Sequence, residues 1–189
     1  MQEFAMDLTR TFFRFAAVPL IAFGLSANVM AGTSSVTQQV TQGELTAWVH
    51  GDALNTIAYS HGSQDSFREL TLHVDDLRGT YEGWSVTVKS SDFFYQGPAS
   101  GNHDIPAANF VLGATRMPIW VSGQALDAGI AGAAINGPLD IEQTPLTAKS
   151  GHGSGNYTQV LPVTLTVPEG SPVGMYVATL TVHTSAAPN

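Results

Sequence analysis

Apolar and polar residues alternate over short stretches of this chain, and past residue 31 no segment holds a helical period for ten residues. In "RELTLHV", Leu70, Leu72 and Val74 fall on one face and Thr71, His73 and Asp75 on the other. "WSVTV" repeats the pattern with Trp84, Val86 and Val88. A period of two predicts half-buried strands. The link between them, "DDLRGTYEG", holds Gly79 and Gly83, so the pair is expected to form an antiparallel hairpin with a structured loop. "VLPVTLTVP" alternates up to Pro168, "EGSPVG" is a turn, and "MYVATLTVHTS" places Tyr176, Ala178, Leu180 and Val182 on one face. A second hairpin is expected there. Further strands are predicted at Leu45–Val49, at Asn109–Gly113 and in "MPIWVSG".

The rest reads as connection. "HGDALNTIAYSHGSQDSF" is a loop and "KSGHGSGNYTQ" a flexible turn. "LDAGIAGAAINGPLD" reads as an irregular loop, since each of its glycines costs a helix about 1 kcal/mol relative to Ala. About eight short strands separated by turn signals define an all-β domain, a sandwich or a barrel-like fold. An antiparallel β-sandwich of the Ig-like, Greek-key type is the expectation.

The N-terminus changes the domain count. Arg10 and Arg14 precede the apolar run Phe15–Leu25, and Val29-Met30-Ala31 offers a small-residue cleavage site. This is the grammar of a secretory signal peptide, expected over 1–31, leaving one domain over 32–189. Met6 is an alternative start, because Glu3 and Asp7 are unusual in a positive leader region. The apolar run falls short of the ~20 residues that span a bilayer. The expected location is therefore secreted, at the cell surface, with no membrane embedding.

Charge narrows the partners. The chain has 7 basic and 15 acidic residues, and removing Arg10, Arg14, Glu3 and Asp7 leaves its net charge at -8. Such a chain is repelled by phosphate backbones, so nucleic acid is not an expected partner. The absence of cysteine excludes disulfides and Cys-bound zinc.

The chemistry-bearing residues form no catalytic motif. Ser154 in "GHGSG" lies among glycines, without a G-x-S-x-G elbow. None of the six histidines makes a close metal-binding pair. His73 and His183 face away from the larger apolar residues. Asp75, Asp76 and Glu82 do not fit a calcium loop, and Arg78 would oppose a cation among them. An Asp–Arg pair ordering the loop is the better reading. No catalytic residue, metal or cofactor is expected, and the protein reads as a non-enzyme. Trp84 shares a face with Val86 and Val88, where a core role is the ordinary one; sugar stacking would need it at a rim. Trp48 and Trp120 are open to either role, and Tyr176 reads as core.

The stretch "LTLHVDDLRGTYEGWSVTVKSSDF" resembles the central block of WxL-type bacterial surface domains. Their V-x-D-x-R-G turn is matched by Val74, Asp76 and Arg78-Gly79, with Asp75 as the other candidate for the acid; their G-W-x-(L/V)-x-V by Gly83-Trp84, Val86 and Val88; their D-F by Asp92-Phe93. "IPAANFVLG" is similar to the segment that follows, and "LTVPEGSPVGMYVATLTVHTSAAP" to the family's closing hairpin. The resemblance implies an all-β fold and non-covalent attachment to the cell surface, with peptidoglycan as the usual proposed ligand. It marks Trp84, Arg78, Asp76 and Tyr176 as candidate ligand-binding residues. The chain departs from the pattern twice: the first W-x-L is Trp84-Ser85-Val86, and the second is Leu180-Thr181-Val182, without tryptophan.

Three functions follow. The first is attachment to a cell-wall polymer, to matrix or to other surface proteins. The second is a self-assembling subunit of a fibre or surface layer, a homo-oligomer built by exchange of an N-terminal strand. The third is a secreted polysaccharide-active enzyme with residues drawn from distant loops.

Overall fold

A computed structural model describes residues 37–51, 53–133 and 137–186. The expected signal peptide, 1–31, lies outside the described residues. Two units divide the chain, Met1–Gln39 and Val40–Asn189. Of the first, only residues 37–39 are described, exposed and outside any strand.

The second unit is all-β, and every strand pairing in it is antiparallel. Its strands in chain order are β1 (Leu45–His50), β2 (Gln64–Asp76), β3 (Trp84–Ser90), β4 (Phe94–Tyr95), β5 (Phe110–Leu112), β6 (Ile119–Gly123), β7 (Ile130–Gly132), β8 (Gly137–Pro138), β9 (Gln143–Ala148), β10 (Gly155–Val167), β11 (Tyr176–Val177) and β12 (Leu180–Ala186). One sheet runs β1-β2-β10-β5-β8, with β6 also paired to β10. The other runs β12-β3-β9-β7, and β11 with β4 forms a separate ribbon.

The long pair β2 and β10, 13 residues each, carries the first sheet. Its register runs from Asn156 opposite Asp75 to Val167 opposite Gln64. Alternation sets what each strand buries. Leu70, Leu72 and Val74 of β2, Tyr157, Leu161, Val163 and Leu165 of β10, and Trp84, Val86 and Val88 of β3 enter one apolar cluster. Rings from different sheets meet there: Trp84 and Tyr157 lie 6.1 Å apart by centroid.

Neither expected hairpin forms. β2 and β3 lie in different sheets, so residues 77–83 carry the chain across the core. β10 and β12 are likewise divided between the sheets, with β11 interposed on its own ribbon. The reason is physical. Alternation shows that one face of a strand is buried, but both sheets bury a face against the same core, and the links are too long to force adjacency. The "LDAGIAGAAINGPLD" segment also differs from its reading as an irregular loop, since β7 and β8 lie within it. They exist because β9 and β5 offer edges to them, a tertiary effect that local propensity does not carry.

Two of the edge strands, β1 and β12, are less covered than the strands they pair with. Leu45, Ala47 and Val49 of β1, and Leu180 and Val182 of β12, pack on the core yet stay half-exposed.

Candidate functional site

Asp76 ends β2 at an inward position of the alternation, so its carboxylate is buried and needs a partner. Arg78 supplies one. Its Nε donates to Asp76 Oδ1 at 2.9 Å and its Nη2 to Asp76 Oδ2 at 3.0 Å. Nη2 also donates to the Gly83 carbonyl at 2.9 Å, and Nη1 reaches Glu82 at 3.5 Å. The Arg78 backbone N–H returns to Asp76 Oδ1 at 3.1 Å. The Asp76 hydrogen bond raises the Arg78 pKa, against the opposing effect of burial. This fork-to-fork pair closes the turn between the sheets, with its donors directed inward to the loop.

Gly83 then delivers Trp84 into the core. The indole is 0% exposed, and its Nε1 donates to the Gly153 carbonyl at 3.0 Å. Gly153 lies in the segment expected to be a flexible turn, and that segment is tied at several points. Gly151 N–H donates to Tyr81 O at 2.7 Å, and Gln124 and Ser154 exchange two bonds, at 2.8 and 3.2 Å. His152 Nδ1 meets Asp127 Oδ2 at 2.8 Å. The Asp127 carboxyl is held below the ordinary carboxylate range by that His152 bond first and by the Gly129 N–H second.

Tyr176 stands apart from these residues. Its hydroxyl donates to Pro172 O at 2.9 Å, and its ring lies 5.1 Å from that of Tyr95. Burial raises its pKa. It lines an open cleft of about 770 Å³ together with Val49, Leu54, Tyr59, Phe93 and Leu180. Asp76, Arg78 and Trp84 are thus gathered at one crossover, while Tyr176 lies on the cleft at the β1 and β12 edges.

A further aromatic feature lies on the outer face of the larger sheet. Trp48 is 46% exposed, and its indole stacks on the His73 imidazole with centroids 5.0 Å apart and planes 4° from parallel. The signal was present in the sequence: Trp48 sits between Ala47 and Val49, which take the inward positions of β1. Its cross-strand neighbour is a matter of register, which the sequence does not display.

The fold and these surfaces define an all-β domain with its motif tryptophan inside and aromatic side chains left on its surface. Comparison with protein families places it more closely: residues 8–188 match WxL, the "WxL domain surface cell wall-binding" family. The chain belongs to this family of surface domains that bind the cell wall. Comparisons with curated proteins and with solved structures gave no match.

Proposed function

We propose that this protein is a secreted, non-catalytic surface protein whose β-domain holds peptidoglycan non-covalently. The observation that carries the reading is the wall-binding family match across residues 8–188. The local chemistry supports it. Groups that could serve catalysis are committed to structure: Asp76 to Arg78, and His152 to Asp127. With Trp84 enclosed and bonded to Gly153, the first motif tryptophan acts by shaping the domain, and contact with the polymer falls to other side chains. The test is co-sedimentation of the protein with purified cell walls freed of protein. The expected result is a saturable fraction in the wall pellet and none in a wall-free control. Protein that stays in the supernatant at every wall concentration defeats the reading.

The second reading, self-assembly by strand addition, is favoured by one observation. The inward residues of two edge strands, β1 and β12, are only half-covered, and the cleft opens beside them. A strand from a second copy would meet free backbone groups and apolar side chains together. Sedimentation velocity over a wide concentration range decides it: a growing series of oligomers supports assembly, and an unchanging monomer ends it.

A further inference from the structure

We infer that the open cleft beside the β1 and β12 edges is a binding site for a single alkyl chain, the tail of an uncharged lipid whose head stays in solvent. The inference goes beyond wall binding and does not depend on it.

Size and lining define the occupant. The cleft holds about 770 Å³, within the range of roughly 300–1,000 Å³ usual for small-ligand sites. Its floor is the hydrophobic core itself: Leu70, Phe93, Phe110 and Leu165 belong to the buried cluster and also line the cleft. Its walls are half-covered apolar side chains, Val49 from the larger sheet and Leu180 and Val182 from the smaller, joined by Leu54 from the connection after β1. Tyr59, Val173 and Met175 also line it and are exposed. Apolar side chains left in water around an apolar hollow are stabilised when an apolar occupant covers them.

Charge and hydrogen bonding narrow the class. Among the described residues, none that lines the cleft is Asp, Glu, Lys, Arg or His. A charged group drawn inside would lose its water without gaining a partner. The hydroxyls of the lining are committed as well. Ser66 Oγ donates to Asn55 O and Ser90 Oγ to Ser91 O, each at 2.9 Å, and Ser171 Oγ donates to Pro168 O at 2.8 Å. Tyr176 donates to Pro172 O. A sugar, or a peptide lying inside the cleft rather than along its strand edges, would leave its own donors and acceptors short of partners. An alkyl chain has none to satisfy. Asp65 and Glu169, the chain neighbours of the lining residues Gln64 and Pro168, are exposed acids in a chain of net charge -8. They oppose an anionic head and leave an uncharged one unhindered.

The experiment titrates the protein with octyl, decyl and dodecyl maltoside, each below its micelle concentration, in a calorimeter, with maltose alone as the head-group control. Wild type is compared with Leu54→Asp, which sets a carboxylate in the wall, with Ala178→Phe, which fills the cleft from its lining, and with Trp120→Ala, an exposed ring on β6 outside the cleft. Circular dichroism establishes that each is folded, and sedimentation velocity gives the state of assembly. The expected result is one chain per protein, no binding of maltose, and affinity rising with length toward the limit of about fourfold for each buried methylene. Trp120→Ala binds as wild type does, while Leu54→Asp and Ala178→Phe lose about tenfold or more. Leu54 lies outside the strands, so its variant keeps the test decisive if Ala178→Phe does not fold. Affinity that does not rise with chain length overturns the inference, and so does a folded Leu54→Asp or Ala178→Phe that binds as wild type does. Loss of binding in Trp120→Ala moves the site to β6 and overturns it too. Wild type that is oligomeric and takes up no alkyl chain gives the cleft to a second copy. Each of these outcomes leaves the wall co-sedimentation result standing, because no wall polymer is present.

Discussion

Arg78 illustrates how much of this domain hangs on single side chains. It reaches Asp76, Glu82 and Gly83 within one short connection, and the Asp76 carboxylate it pairs with is buried. Removing one member of a buried pair leaves the other charge uncompensated, at a cost of about 3–5 kcal/mol. Arg78→Met is therefore expected to lose stability on that scale in urea unfolding. A loss below ~1 kcal/mol, the level of an exposed pair, would show that the pair does not hold the turn. Tyr157 offers a second test. Its hydroxyl donates to Gln124 O at 2.6 Å, and burial, aided by the Asp127 and Asp76 charges, pushes its pKa up to about 12. In the unfolded chain the same phenol titrates near 10. Between those values the folded state keeps a proton that the unfolded state has released, so stability falls as pH rises. Below pH ~10 this contribution is fully present. Urea midpoints measured from pH 9 upward are expected to drop across that window, with a flatter profile in Tyr157→Phe. Equal slopes in the two proteins would assign the alkaline loss to other groups.

At the scale of elements, the crossover over residues 77–83 depends on two glycines in different ways. Gly79 has φ +68 with nothing within 4 Å of a built Cβ, whereas Gly83 has φ +76 with the Ala148 carbonyl oxygen only 2.5 Å away. Gly79→Ala should cost only the left-handed backbone penalty, about 1–2 kcal/mol. Gly83→Ala adds a clash with backbone that β3 and β9 hold in register, so its loss in thermal or chemical unfolding is expected to be clearly larger. Equal losses would mean that the loop moves as a unit. These elements were unequally visible in the chain itself. Alternation marks β2, β3, β10 and β12, because a half-buried strand must alternate. It is silent on their partners: the links after Asp76 and Val167 resemble hairpin loops by composition and instead cross between sheets. Short β7 and β8, Gly-rich and only two or three residues long, owe their form to neighbours and leave no local pattern.

The whole molecule sorts the aromatic residues that the sequence leaves undecided. The burial of Trp84 follows from its phase with Val86 and Val88, and the outward turn of Trp48 from its phase with Ala47 and Val49. The Asp76–Arg78 pairing is legible from spacing and charge. That Tyr176 lines a cleft, and that Trp48 meets His73, depends on long-range pairing that no single segment encodes. β10, which joins β2 to β5 and β6, begins only at Gly155, after nine other strands of the described residues. A chain made from its N-terminus has only β1 to set against β2 until then, and an isolated strand pair is marginal in water. The larger sheet thus has no centre while the nine strands before β10 are being made. Its apolar strands must wait uncommitted, and folding falls to a late, non-local and correspondingly slow event.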